Sequence, residues 1–258
     1  FRSASIVFPE ITPQIVDNLE LLGRVWGFLK YHHPTISKGT YNWDEELFKM
    51  LPGYLKVTDN KQRDAYLAKW ILRFGKIPVN KNVKPVDTTA VLKPDMASIN
   101  PENLLPKLYN LLMKVYQNRN NGLYYVSISS LWVKAANFTH ENNYADIEFP
   151  DAGFQLLALY RYWNMVYYFF PYKSLTDADW NMVMKNQIPS FISANDKKAY
   201  WQAVRRLIAL IDDTHGAVWN VKPTKTLDYY RPPFRVSFLK NDTSVVTSYW
   251  NSDKVDSS

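Results

Sequence analysis

Shifting the chain by 137 residues against itself, without a gap, places Leu22 on Leu159, Arg24 on Arg161 and Trp26 on Trp163. The same shift places Tyr31 on Tyr168, Pro34 on Pro171, Trp43 on Trp180 and Pro52 on Pro189. Tryptophan is rare, so two gap-free Trp matches flanking a matched proline are not a chance pattern. Apolar pairs Leu51/Ile188, Tyr54/Phe191 and Ile71/Ile208 keep the same register. A repeat constrains a fold more than any composition does, because each copy must be one supersecondary unit that buries its apolar face against its neighbours.

The unit itself reads as three helices. From Pro13, Leu22, Trp26 and Leu29 fall on one helical stripe that ends near Pro34. Asn42 and Glu45 form a capping-box pair ahead of Leu47 and Leu51, with Pro52 as the expected limit of that helix. A third helix is predicted from about Asp59 to Phe74, and its counterpart from about Asp196 to Ile211. Between the copies, four prolines over 77–101 mark a connecting segment. Asn100 and Pro101 then predict a helix start ahead of the stripe Leu104, Leu105, Leu108, Leu111, Leu112 and Val115. Leu123–Ile128 and Leu131–Val133 read as short strands, as do Ala217–Val221, Phe234–Leu239 and Ser244–Tyr249. The expected fold class is mainly α: duplicated three-helix units (about 16–79 and 153–216) with short β segments. The expected domains are 1–221 and a β domain beginning at 222–258, whose few strands cannot bury a sheet face alone.

Composition removes whole classes of function. Hydrophobic residues are 47% and aromatics 16% of the chain, too rich for disorder. The absence of cysteine excludes disulfides and thiolate chemistry. No apolar run approaches the ~20 residues that span a bilayer. The net charge of +7 comes from Lys and Arg scattered among acids, which describes a solvated surface and not a nucleic-acid footprint. Phe1 is not a native start, so the expectation is a trimmed N-terminus.

Four histidines are available for chemistry. His32 and His33 stand opposite Phe169 and Phe170 of the second copy, which suggests packing positions. His140 sits in a polar loop, and no HxH or HxxxH pair supports a metal site or cofactor. His215 follows Asp212, Asp213 and Thr214 after the last helix of the second copy. Carboxylates and a hydroxyl beside a helix-end histidine can fix its tautomer for proton transfer. The same residues also make an ordinary helix C-terminus and turn.

The segments RVWGFLKYHHP, YNWDEELFKMLP, YRYWNMVYYFFPYKSLTDADWNMV and LIALIDDTHGAVW together resemble the N-terminal region of S41-family serine peptidases. The likeness is to the tricorn-like and tail-specific branch of Bacteroidetes-type bacteria and covers about residues 16–250. It implies a helical cap or scaffold leading into a PDZ domain, whose first strands PPFRVSFLKNDTSVVTSYW resembles, and then a catalytic α/β domain. It implies that His215, with Thr214 where Ser is frequent, is the base for a distant serine. The implied partners are a polypeptide substrate and the protein's own PDZ and catalytic domains, and the implied location is exported, periplasmic or lipoprotein. No Gly-x-Ser-x-Gly occurs here, so this chain is expected to be inactive alone. The alternative expectation is a non-catalytic peptide- or glycan-binding module, presented by a helical repeat.

Overall fold

The structure, a computed structural model, describes residues 3–83, 85, 96, 99–120, 124–128, 136–213, 216, 234–238 and 243–249. Seven helices dominate them. The first copy comprises α1 (Pro13–His32), a 3-10 turn (Ile36–Lys38), α2 (Trp43–Tyr54) and α3 (Asn60–Leu72). After α4 (Pro106–Gln117) and a short hairpin, β1 (Val126–Ile128) and β2 (Ala136–Phe138), the second copy repeats the order. It comprises α5 (Ala152–Phe169), a 3-10 turn (Lys173–Leu175), α6 (Trp180–Ile192) and α7 (Lys197–Ala209). The 3-10 turns, the starts of α2 and α6, and both ends of α3 and α7 hold the 137-residue offset to the residue.

The conserved spacing of Trp and caps explains the agreement. Trp26 and Trp43 each donate an indole N–H to the other's carbonyl, at 3.1 and 2.9 Å. Trp163 and Trp180 repeat the exchange at 2.9 and 3.3 Å. Buried indoles require an acceptor, and this reciprocal pair locks the first helix of each copy to the second. Asp59 caps α3 by accepting from Gln62 N at 2.8 Å, and Asp196 caps α7 by accepting from Ala199 N at 2.7 Å. Asn18 donates to the Val57 carbonyl, and its counterpart Gln155 donates to that of Ala194, so in each copy the loop between the second and third helices is tied to the first helix by an equivalent bond.

The two copies meet along α1 and α5 in a self-complementary way. Equivalent residues face each other: Gly23 lies against Tyr160, Gly27 against Asn164, and Tyr31 against Tyr168 with ring centroids 5.5 Å apart. Off this line the contacts come in matched pairs. Arg24 donates to the Asn181 carbonyl, and Arg161 pairs with Asp44. Asp17 pairs with Lys185, and Phe154 packs on Phe48 at 4.8 Å. When i meets j and j's equivalent meets i's, the packing has the logic of a twofold dimer interface. The seam is therefore a pseudo-twofold within one chain, and one continuous core runs through it.

Two expectations are corrected. The helix predicted at Asn100–Pro101 begins at Pro106. Proline fits a first turn but not a helix interior, and Asp64 accepts the Leu105 N–H at 2.7 Å to set that start. Asn100 instead makes a turn, accepting from Glu102 N. Pro52 does not end its helix: α2 runs to Tyr54, and α6 likewise carries Pro189 within its last turns. The partner of β1 is Ala136–Phe138, in register Val126↔Phe138; Leu131–Val133 lies outside the described residues.

The chain divides into two compact units, Phe1–Val218 and Trp219–Ser258. In the second, β3 (Phe234–Phe238) pairs antiparallel with β4 (Ser244–Tyr249), with a register irregularity between Arg235 and Val236. Side chains of β4 are exposed throughout. The Ala217–Val221 strand lies outside the described residues.

Candidate functional site

The exit of α7 differs from its counterpart in the first copy. There Gly75 ends the unit in the left-handed region, at φ 89°. At the equivalent place the second copy puts Asp212, at φ 52°. Glycine adopts this conformation freely, whereas Asp pays a modest steric cost that a local hydrogen bond can offset. The Asp212 carboxylate accepts from Asp177 N at 2.8 Å, so the exit is fastened to the loop between α5 and α6. That loop lines a cavity of about 410 Å³ with Lys173, Ser174, Thr176, Asp177 and Asp179. Gly216 N closes back on the Asp213 carbonyl at 2.9 Å. Nearby, the Tyr162 hydroxyl is buried without a hydrogen-bond partner among the described residues. Burial, and then the charge of Asp213, push its pKa up to about 12. Thr214 and His215, the two site residues expected from sequence, lie outside the described residues.

A second polar constellation sits at the seam, and sequence reasoning did not single it out. Lys30 is only 1% exposed, yet it carries an ammonium on an otherwise apolar face. Its Nζ pairs with Glu141 and lies 4.8 Å over the rings of both Trp26 and Tyr125. Arg161 pairs with Asp44 and reaches Glu141 at 3.1 Å, and the Tyr144 hydroxyl donates to Asp44 at 2.7 Å. Two cations and two carboxylates thus balance in a largely buried network. Burial lowers the Lys30 pKa, opposed mainly by Glu141. The available signal in the sequence was Lys30 itself, a charge opposite Tyr167 of the second copy within an apolar stripe.

Beside this network a cavity of about 290 Å³ is lined by Tyr41, Asp44, Tyr124, His140, Glu141 and Asn142. His140 adopts φ 57°, stacks on Tyr124 with centroids 4.1 Å apart, and contacts the Tyr124 carbonyl through Nδ1 at 2.7 Å. The other described histidines are packing groups. His32 lies edge-on to Phe28 and Tyr168, at 4.8 and 5.3 Å, while His33 accepts from Thr35 N and Ile36 N through Nδ1. Burial pushes both imidazoles down to about 4.

Among the described residues no three His, Asp or Glu side chains converge as metal ligands, and no helix is long and apolar enough to cross a membrane. No protein family, curated protein or solved structure matches this chain.

Proposed function

We propose that this chain is the helical N-terminal portion of an S41-type serine peptidase, in which His215, with Thr214 beside it, supplies the general base. The supporting observation is the asymmetry between the two α-helical exits. Where the first copy has Gly75, the second holds Asp212 in a conformation that costs energy and spends its carboxylate on Asp177 N. Strained non-glycine backbone held by a specific bond is a mark of positions where geometry matters. The chain leading to Thr214–His215 starts from that fastened point, beside a cavity and the Tyr162 hydroxyl. In this reading His215 takes the proton of a serine hydroxyl as its oxygen attacks the scissile carbonyl, then gives it to the leaving amine. The serine belongs to a part of the peptidase not contained in this sequence, and the duplicated helices frame the cleft. The β3–β4 hairpin is then the start of a PDZ-like domain, and the protein works outside the cytoplasm on polypeptide substrates.

The deciding experiment uses the peptidase that includes this chain. His215→Ala is expected to lower kcat/KM by about 10³-fold or more, as removal of a triad base does, with the thermal midpoint unchanged. Near-normal turnover in that variant would sink the assignment.

The aromatic cavity at Tyr124 and His140 favours a second reading, a non-catalytic peptide- or glycan-binding module. Stacked rings beside carboxylate and carboxamide groups suit sugar faces and hydroxyls. Saturable oligosaccharide binding that Tyr124→Ala abolishes, in a protein indifferent to His215→Ala, would favour it.

A further inference from the structure

The pseudo-twofold pairs grooves of the two copies, and among the described residues one such pair is filled on one side only. In the second copy, residues 141–149 lie along α5 and α7. Glu141 faces Arg161, whose guanidinium also donates to the Asn142 carbonyl at 2.8 Å. Arg161 sits 5.4 Å over the Tyr144 ring, which packs on Phe154 at 4.8 Å. Further along, Glu148 pairs with Lys197, and Phe149 lies against Tyr200 at 6.5 Å.

The residues standing at these places in the first copy are Arg24 for Arg161, Asp17 for Phe154, Asn181 for Asp44, Lys185 for Phe48, Asn60 for Lys197 and Arg63 for Tyr200. All six line a single cleft of about 600 Å³. The sequence counterpart of 141–149, residues 4–12, does not fill it. Its beginning, together with Ser3 just before it, goes instead to the second copy, where Ser3, Ala4 and Ser5 donate to Asp151. Among the described residues the turn at 100–104 borders the cleft, with Arg63 donating to the Asn103 carbonyl at 3.4 Å.

We propose that this open cleft binds an extended polar segment of another polypeptide, laid along α1 as residues 141–149 lie along α5. The substitutions specify its chemistry. Phe154, which holds the Tyr144 ring and is backed by Phe48, gives way with it to the Asp17–Lys185 ion pair, so an aromatic anchor has no seat. Arg24 keeps the place of Arg161: Glu20, also in the cleft, and the Asn181 carbonyl take its Nε and Nη2, and the Nη1 edge remains for a main-chain carbonyl or carboxylate of the bound segment. Asn60 and Asn100, whose side-chain oxygens accept from Gln14, Arg63 and the Glu102 N–H, add amide N–H donors, and Asn103 adds a further carboxamide. The inference rests on the duplicated geometry and stands whether or not the peptidase reading does.

The test uses this chain and a labelled nonapeptide, the 141–149 sequence carrying Tyr144→Ser and Phe149→Ser, with binding followed by fluorescence anisotropy. Saturable binding is expected, weakened about tenfold or more by Arg24→Gln, as loss of a charge-assisted bond implies. Because Arg24 also touches the seam, Lys185→Glu at the cleft's exposed rim serves as second variant, and Lys107→Gln on α4 as the control that leaves binding unchanged. A neutral oligosaccharide is the competing probe. No saturation by about 1 mM peptide, binding insensitive to both cleft variants, or oligosaccharide binding in place of peptide would each overturn the proposal.

Discussion

At the residue scale, the seam is set by what a twofold axis does to identical positions. In a symmetric dimer the residues on the axis must be the same, but duplication within one chain lets them diverge. Here one side became small and the other large: Gly23 receives the Tyr160 ring, where an added methyl would sit 2.5 Å from it, and Gly27 receives the Asn164 carboxamide. Asn164 uses that approach to donate to the Gly23 carbonyl at 3.0 Å. The histidines at the end of α1 carry a pH dependence of definite sign. Burial holds His32 and His33 at about 4 in the folded state, against 6.5 when unfolded. Between those values the unfolded chain binds more protons, so their contribution is complete above pH 6.5 and is lost as pH falls toward 4. His32→Phe places the residue type of position 169 in the same aromatic surroundings. Urea titrations of that variant between pH 7 and 4 should show a shallower loss of stability than the parent; an equal slope would contradict the assignment.

At the element scale, residues 141–149 behave as a strap that closes one groove. Its anchor is Tyr144, held by Asp44, Arg161 and Phe154 together, and itself at φ 49°. Tyr144→Ala removes the ring, leaves Arg161 without its cation–π partner, and should free the strap while the helices stay folded. Limited proteolysis should then cut within 139–149 at least several-fold faster, with helical circular dichroism unchanged; an unaltered cleavage rate would show that the ion pairs alone retain it. The same scale explains which element boundaries could be read in advance. Caps at Asn42, Asp59 and Asp196 act through adjacent backbone and are legible locally. The start of α4 was misplaced because it depends on Asp64, whose carboxylate arrives from α3.

At the scale of the whole molecule, the shared seam makes the two copies one cooperative body. Gly27→Ala would force the new methyl into Asn164, and overpacking of this kind costs about 1–3 kcal/mol. Because α1 and α5 bury the same interface, both copies should lose stability together. Tryptophan fluorescence and helical circular dichroism should shift to a common lower midpoint; two separated transitions would show that the copies fold independently. The open cleft and the asymmetric α7 exit are the other consequences of duplication, each a place where one copy departs from the symmetry that the other keeps.

The sequence by itself determined the duplication, the helical class, the Trp–Pro framework and the N-caps, since these depend on residue type at fixed spacing along one chain. It also marked Asp212–His215 as the polar cluster that the first copy lacks, opposite Gly75–Pro78. Only the tertiary structure decided that the copies pack about a pseudo-twofold, that Lys30 and Arg161 balance Asp44 and Glu141 across more than a hundred residues, and that among the described residues one groove is filled while its mate stands open. Those features depend on which surfaces meet, and pairing between surfaces distant in sequence is fixed by shape and charge in three dimensions, which no periodicity along the chain encodes.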